Sequence, residues 1–219
     1  MRTMKIKVCG MRDGENIRQV EELGVEWIGM IFQSDSPRNV TMTPTHAGII
    51  PDRAADFSAQ STAHIPCKKV GVFFDEMAQN IITRVVNFRL DVIQLNGNET
   101  TTLIRNLRRT LAPDIRPNIS FWKTISVSSP EDLATYLEYE DCVDMFLFDL
   151  KKTDDMKMLE AYKGEKPFLL SGAIGPDDAK RIGSFSHPRC IGIDLNTQFE
   201  TEPGMKDASL LKQFLSKIS

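Results

Sequence analysis

Short apolar runs alternate with amphipathic stretches along the whole 219-residue chain. The apolar runs predict strands at about 4–9, 26–32, 68–74, 90–95, 119–125, 143–148, 167–170 and 189–194. The amphipathic stretches predict helices at about 14–23, 43–50, 76–88, 99–110, 130–138, 154–162, 176–183 and 207–217. Such alternation is typical of a parallel sheet. At this length it favours one closed (β/α)₈ barrel of the TIM type, with parallel strands, over an open doubly wound sheet, so we expect residues 1–219 to form a single domain.

Composition narrows the classes of partner that we expect. The net charge of -3 and the isoelectric point near 5.7 lack the basic footprint of a nucleic-acid-binding protein. The four cysteines, at 9, 67, 142 and 190, show neither a Cys-x-x-Cys pair nor zinc-ligand spacing, which is typical of free thiols in a reducing compartment. No apolar run approaches the roughly 18 residues of a membrane span. We therefore expect a cytoplasmic protein that binds neither nucleic acid nor membrane.

The first predicted strand ends in a thiol. Cys9 closes the strand, and a turn then leads to Asp13, a good N-cap for the helix that follows. A nearby helix N-terminus favours the thiolate, which is the reactive form of cysteine. Against this stands the plainer interpretation that Cys9 is a small buried hydrophobe, as free cysteines usually are.

One stretch interrupts the alternation. Residues 51–67 are polar and small, with Pro51 and Pro66 near the two ends, and predict a long connection into the third strand. A connection from a helix to a strand lies at the non-catalytic end of a barrel. We therefore expect this segment to be mobile and His64 within it to be solvated.

Active sites of such barrels lie at the carboxyl ends of the strands and in the loops that follow. Applied to the predicted strands, this rule collects several chemically useful side chains, namely Cys9, Arg38, Gln94, Asp149, Ser171, Asp194, Asn196 and Thr197. Small residues including Gly172 and Ala173 follow the seventh strand, where backbone N–H groups can hold a phosphate.

These side chains together suggest a reaction class. Asp149 follows three apolar residues, and burial would raise its pKa toward use as a general acid. Cys9 could serve as the base, and Arg38, placed behind a proline, suits a carboxylate or a phosphate. Singly, each is equally well explained as an N-cap, a packed thiol or a surface charge. Together they suggest proton transfer on a small phosphorylated substrate.

The sequence also resembles a known family, the phosphoribosylanthranilate isomerases. The resemblance covers the whole chain and rests on segments in the family's order, namely Lys7-Val8-Cys9-Gly10-Met11, Ser36-Pro37-Arg38, Gln94-Leu95-Asn96-Gly97, Leu170-Ser171-Gly172, Gly192-Ile193-Asp194-Leu195-Asn196 and Pro203-Gly204-Met205-Lys206-Asp207. It implies a (β/α)₈ barrel of tryptophan biosynthesis that catalyses an Amadori rearrangement without a cofactor. Family members occur as monomers and dimers, so we expect one of these two states.

The resemblance also implies roles for individual residues. Cys9 matches the general base that removes the proton from ribose C2, and Asp149 matches the general acid that protonates the ring oxygen. Arg38 matches the arginine that contacts the anthranilate carboxylate. The remaining substrate-binding positions, several of them in the loops that hold the phosphate, are Gln94, Ser171, Gly172, Ala173, Asp194, Asn196 and Thr197. For Asp194, an anion, orienting a loop or a substrate hydroxyl suits its charge better than contacting phosphate.

The chain departs from the family pattern around the expected phosphate. The family usually carries a glycine-rich loop after the acid, whereas here Asp149 leads directly toward the next helix. Asn96 stands where the family has histidine, Ala173 replaces a glycine, and Thr197-Gln198 replaces a Ser-Gly pair. Without the loop, we expect Asp149 to be largely exposed and ionised in the free protein.

Two other functions remain open from the sequence. One is a related barrel that binds a phosphorylated ligand without turning it over, as the lost loop suggests. The other is an isomerase or epimerase acting on a different phosphosugar, with Asn96 and Gln198 reshaping the pocket.

Overall fold

Eight parallel strands close into a barrel in the computed structural model, which describes residues 4–41 and 67–218. The strands are β1 (Lys5–Val8), β2 (Trp27–Ile31), β3 (Lys68–Phe73), β4 (Val92–Leu95), β5 (Ser120–Val127), β6 (Met145–Leu150), β7 (Phe168–Gly172) and β8 (Cys190–Leu195). They pair in sequence order, and β1 closes the barrel by pairing with β8 in parallel. The predicted barrel and its eight strands are confirmed.

Helices cover the outside of the barrel. They are α1 (Gly14–Glu21), α2 (Ala78–Phe88), α3 (Thr101–Leu111), α4 (Pro130–Ala134), α5 (Tyr136–Tyr139), α6 (Ala179–Ser184) and α7 (Ala208–Ile218). Asp13 caps α1 as predicted, since its side chain accepts a hydrogen bond from the Asn16 backbone N–H at 2.9 Å. The predicted helix at 43–50, His64 and all but the last residue of the connection at 51–67 lie outside the described residues. None of the described helices is both long and apolar enough to cross a membrane.

The helix predicted at 154–162 is wrong in type. Residues Thr153–Ala161 form a 3₁₀ helix instead. Met156, Leu159 and Tyr162 are all buried, and their spacing of three residues matches the three residues per turn of a 3₁₀ helix. Packing of this stripe against the barrel therefore accounts for the tighter helix.

Two other predicted helices are divided. Instead of one helix at 130–138, α4 and α5 are separate, with Thr135 between them. The helix predicted at 176–183 begins with a 3₁₀ turn, Pro176–Asp178, before α6.

A small hairpin near the chain end was not predicted. A 3₁₀ turn, Thr197–Phe199, follows β8 and leads into β9 (Glu200–Glu202), which pairs antiparallel with β10 (Met205–Lys206). The hairpin turn between β9 and β10 includes Gly204, whose φ of +88° favours glycine. Asn16 of α1 binds both backbone groups of Lys206, at 2.8 Å each, so the hairpin is anchored beside the mouth of the barrel.

The core has two layers. Alternate strand residues pack outward against the helices, while the others fill the barrel interior, as the period of two along a strand requires. Trp27 and Trp122 meet edge to face inside the barrel, with ring centroids 5.2 Å apart. A cavity of about 430 Å³ lies beneath this pair, lined by residues that include Lys68 and Arg116. It lies at the amino ends of the strands, the end that barrels use for stability and not for chemistry.

Candidate active site

The predicted side chains gather at the carboxyl end of the barrel. Cys9 directly follows β1 and continues its ladder, since its backbone N–H donates to Leu195 O at 2.8 Å. Asp149 lies near the end of β6, in register with Ser171 of β7. Asp194 lies near the end of β8. Parallel strands in one barrel end at the same edge, which is why residues far apart in sequence meet here.

Cys9 shares the barrel interior with a buried cation. Only 4% of Cys9 is exposed, and Lys7, two residues earlier on the same face, is fully buried. A methyl group built on Gly29 of β2 would lie 2.8 Å from the Cys9 sulfur and 3.2 Å from Lys7 Nζ. The thiol and the ammonium therefore face the same point inside the barrel, and only glycine leaves room for both.

The surroundings of the Cys9 thiol favour its neutral form. Burial raises its pKa above the usual 9.0, and Asp194 adds to the rise. Lys7 and Lys206 act in the opposite sense, since cations favour a thiolate. The interpretation in which the neighbouring helix N-terminus favours the thiolate is therefore not supported by the raised pKa, because burial outweighs the nearby positive charges.

Asp194 accepts hydrogen bonds from side chains of two other strands. Its Oδ1 accepts from Lys7 Nζ at 2.9 Å, and Ser171 Oγ donates to its Oδ2 at 3.3 Å. Asp194 is 6% exposed, so this ion pair is inside the barrel. Burial would lower the pKa of Lys7, but the attraction of Asp194 and hydrogen bonding raise it, and Lys7 remains an ammonium.

Asp149 is half-buried, not largely exposed as the sequence suggested. It lies between Ser126 of β5 and Ser171 of β7 in the sheet register. Burial raises its pKa, and repulsion from Asp194 raises it further. The barrel wall and a second carboxylate thus supply the environment that the missing glycine loop was expected to provide.

Arg38 is bound on one edge by a carboxylate that the sequence analysis missed. Its Nε donates to Glu200 Oε1 at 2.9 Å, and its Nη2 donates to Glu200 Oε2 at 2.6 Å. Lys206 Nζ also donates to Glu200, and to Asn196 Oδ1 at 2.9 Å. The Glu200 side chain is 5% exposed, and although burial would raise its pKa, Arg38 and Lys206 lower it below the usual value.

Gly10 brings this cluster next to Cys9. Its φ is +77°, and a methyl group there would lie 2.6 Å from Asn196 Oδ1, 2.8 Å from Arg38 Cδ and 3.3 Å from Lys206 Nζ. The glycine after Cys9 therefore lets the loops after β2 and β8 approach each other at the barrel mouth.

Gln94 and Asn96 form a polar group on the opposite wall. Gln94 Nε2 donates to Asn96 Oδ1 at 2.8 Å and to Thr124 Oγ1 at 3.1 Å, and the Thr124 hydroxyl donates to Asn96 Oδ1. Gln94 is 1% exposed, and its Oε1 has no hydrogen-bond partner among the described residues. A buried acceptor without a partner costs stability, so Gln94 Oε1 suits a donor brought by a ligand.

The loop after β7 depends on Gly172. Its φ is +113°, and a methyl group there would lie 1.9 Å from Leu150 O. The next residue, Ala173, donates its backbone N–H to the same oxygen at 3.2 Å. Thr197 is exposed, and Gln198 beside it packs near Gly175, so the loops after β7 and β8 adjoin each other.

The sequence analysis missed Lys7, Glu200 and Lys206. Lys7 could have been found, since Lys5, Lys7 and Cys9 alternate with the apolar residues of one strand and so project from one face. Glu200 and Lys206 lie beyond β8 in the hairpin, which was not predicted. Collecting side chains at the carboxyl ends of the predicted strands therefore did not include them.

Comparison with known proteins places the chain among one group of barrels. The family model described as N-(5'phosphoribosyl)anthranilate (PRA) isomerase matches residues 6–217. The N-(5'-phosphoribosyl)anthranilate isomerase of Parabacteroides distasonis is 40% identical over 223 residues, covering 98% of this chain and 93% of that protein. The enzyme of the same name from Phocaeicola vulgatus is 35% identical, covering 98% of both chains.

A solved structure agrees on the fold. It is phosphoribosyl anthranilate isomerase in complex with reduced 1-(o-carboxyphenylamino)-1-deoxyribulose 5-phosphate. Its TM-score is 0.76 and its sequence identity 22%, with 98% of each chain covered. At this identity the likeness supports the barrel architecture alone.

Proposed function

Because the chain belongs to the N-(5'-phosphoribosyl)anthranilate isomerase family, we propose that Cys9 and Asp149 are the base and the acid of its reaction. The enzyme is an isomerase of tryptophan biosynthesis. It converts N-(5-phosphoribosyl)anthranilate into 1-(2-carboxyphenylamino)-1-deoxyribulose 5-phosphate by an Amadori rearrangement.

The two side chains divide the proton transfers. Asp149 donates its proton to the ring oxygen as the bond from that oxygen to C1 breaks, and the nitrogen lone pair forms a C=N bond. Cys9, as the thiolate left after its own proton is lost to solvent, then takes the proton from C2, and the C–H electrons form the C1=C2 bond of an enolamine. Return of a proton to C1, with loss of the C2 hydroxyl proton, yields the ketone. The steps balance without a cofactor, so the proposal includes none.

One observation supports this assignment above the others. Asp194 acts electrostatically on both Cys9 and Asp149, so the thiol and the carboxyl both lie near the same buried carboxylate. A general acid needs its proton, and both burial and Asp194 favour the protonated form of Asp149. The pKa of Asp149 is thus displaced in the direction that its role requires.

Arg38 is the proposed site for the anthranilate carboxylate. Glu200 occupies the edge of the guanidinium formed by Nε and Nη2. A substrate carboxylate would take the edge formed by Nη1 and Nη2, because a guanidinium can bind two carboxylates on different edges. Glu200 would then hold Arg38 in the orientation that the substrate needs.

The other proposed substrate contacts lie around the same mouth. The phosphate side is formed by the loops after β7 and β8, namely Ser171, Gly172, Ala173, Asn196 and Thr197. Gln94 Oε1 would accept a hydrogen bond from substrate, and Asp194 would act through Lys7 and Ser171.

The wider setting belongs to the same proposal. We expect a cytoplasmic enzyme of one domain over residues 1–219, a monomer or a homodimer, whose ligand is a small phosphorylated molecule and neither nucleic acid nor membrane. Size measured in solution by light scattering would decide the assembly state.

Complementation tests the proposed residues. The gene should restore growth to a tryptophan auxotroph lacking this isomerase, and a fluorescence assay on substrate generated in situ should show turnover. Cys9→Ser should lower kcat by about a hundredfold or more, since positioned proton transfer contributes roughly that factor. Cys142→Ser is the matched control, because Cys142 is about as buried as Cys9 and its sulfur donates to Tyr139 O, away from the site. Wild-type turnover by the Cys9→Ser variant would overturn the assignment of the base.

A further inference from the structure

A complete ion pair lies inside the barrel beside the reactive thiol. Lys7 Nζ and Asp194 Oδ1 are 2.9 Å apart, with exposures of 0% and 6%. Burying two charges carries a large desolvation cost before their attraction offsets it, and apolar residues of similar size would often serve stability equally well. The pair is therefore poorly explained by stability.

The ammonium of Lys7 has two neighbours that carry or can carry negative charge. One is Asp194 of β8, which accepts its hydrogen bond. The other is the Cys9 sulfur, which faces the same point beside Gly29. The strand period of two requires this, because Lys7 and Cys9 project from the same face of β1.

Two other cations also act electrostatically on the Cys9 thiol. Lys206 of β10 and Arg38 of the loop after β2 are cations that act on Cys9 from the mouth of the barrel. Both are already paired with Glu200. Lys7 differs because it lies deeper, on the same strand as Cys9.

We propose that the Lys7–Asp194 pair sets the charge state of Cys9, with Lys7 as a positioning residue for the thiolate. Lys7 stabilises the thiolate that the base step needs, while Asp194 holds the ammonium and limits how much of its charge the sulfur receives. The inference rests on the proposed role of Cys9 as base.

Counting charge in the trio gives predictions of opposite sign. In the protein, loss of the thiol proton takes Cys9, Lys7 and Asp194 from neutral to one negative charge. In Lys7→Met the same step begins with one negative charge and ends with two, so it becomes harder. In Asp194→Asn it begins with one positive charge and ends neutral, so it becomes easier. A merely structural role would make both variants change Cys9 in the same direction.

The test is a pH titration of the thiolate by ultraviolet absorbance, taken as the difference from the matching Cys9→Ser protein. The midpoint should move to higher pH in Lys7→Met and to lower pH in Asp194→Asn. Each shift should be about one to three pH units, the effect of a charge within roughly 4–6 Å. Lys5→Met, on the same strand but exposed, should leave the midpoint unchanged.

A double variant and an alkylation rate complement the titration. The double variant Lys7→Met with Asp194→Asn leaves no unpaired buried charge, and its midpoint should fall between those of the single variants. If a midpoint lies beyond the pH range in which the chain stays folded by circular dichroism, the alkylation rate of Cys9 at neutral pH replaces it. That rate should change by about threefold per pKa unit, because the gain in thiolate is partly offset by its lower nucleophilicity.

The outcomes separate this inference from the proposed reaction. Midpoints that shift in the same direction, or do not shift, would overturn the role of the pair whether or not the enzyme turns over substrate. Opposite shifts with no loss of activity in Cys9→Ser would support the pair's control of the thiol while refuting Cys9 as the base.

Discussion

Arg38 binds both carboxylate oxygens of Glu200, at 2.9 Å from Nε and 2.6 Å from Nη2, although 162 residues separate the two in sequence. Glu200 also accepts from Lys206 and from the Gly204 backbone N–H. A carboxylate with this many charge-assisted partners is rigid, and it fixes the plane of the guanidinium. The proposed carboxylate clamp is therefore built before substrate arrives.

Arg38→Lys should raise KM much more than it lowers kcat. A clamp on a carboxylate that does not react binds the ground state and the transition state alike, so its loss appears in KM. Lysine cannot serve Glu200 and the substrate together, because it lacks the planar fork. We expect KM to rise about tenfold to a hundredfold, the equivalent of losing one charged hydrogen bond. Steady-state kinetics that leave KM unchanged would place the substrate carboxylate elsewhere.

Glu200→Gln should destabilise the fold by about 3 kcal/mol, because it leaves the buried Lys206 and the half-buried Arg38 without their anion. For a chain of this size that corresponds to a fall in Tm of roughly 6–12 °C, measurable by calorimetry. Glu202→Gln, an exposed position in the same hairpin, is the control.

The same variant should reveal a pH dependence. The folded protein lowers the pKa of Glu200 from its usual 4.5, so its contribution to stability is complete above about pH 4.5. It is lost as the pH falls from there through the lower folded-state pKa. The difference in unfolding free energy between the protein and Glu200→Gln should therefore shrink in acid, and a constant difference would contradict the ion-pair explanation.

Gly29→Ala should impair catalysis without contacting substrate. The new methyl group would lie 2.8 Å from the Cys9 sulfur and 3.1 Å from its Cα, so the sulfur must move. A displacement of about 1 Å can cost a hundredfold in rate, and overpacking costs roughly 1–3 kcal/mol of stability. Gly183→Ala is the control, since a methyl group there meets no atom within 4 Å. Kinetics indistinguishable from the parent would show that the sulfur's position is not critical.

Asp149→Asn should lower turnover by about a hundredfold to ten-thousandfold, while a reduced product analogue still binds.

Asp149→Asn should also raise Tm at neutral pH. The folded protein raises the pKa of Asp149, so the site favours the protonated carboxyl and loses stability as the pH rises through that pKa. Asparagine carries no charge and avoids this cost. Below about pH 3.8, the usual pKa of aspartate, the two proteins should converge in stability. Lower stability of the variant at neutral pH would contradict the raised pKa.

The period of the apolar pattern predicted eight parallel strands, because burial on both faces leaves a local signature in each strand. Together with the chain length, it favoured a closed barrel. Since parallel strands end at one edge, the same pattern also predicted that Cys9, Asp149 and Asp194 lie at one mouth. The type of helix after β6 was not predictable in this way. That the buried residues Met156, Leu159 and Tyr162 recur at every third position becomes evident only from their burial in the folded structure.

The local sequence pattern could not predict which charged side chains pair with one another or how they ionise. The partners of Lys7 and Arg38 lie 187 and 162 residues away, and no period along the chain relates them. Ionisation depends on desolvation and on every nearby charge at once. Burial therefore raises the pKa of Cys9 where a helix end suggested a lowered pKa, and Asp149 is half-buried where a short loop suggested exposure. The order of apolar and polar residues thus establishes which side chains reach the barrel mouth. Closure of the barrel establishes which charges they meet there, because only closure brings β8 and its hairpin against β1.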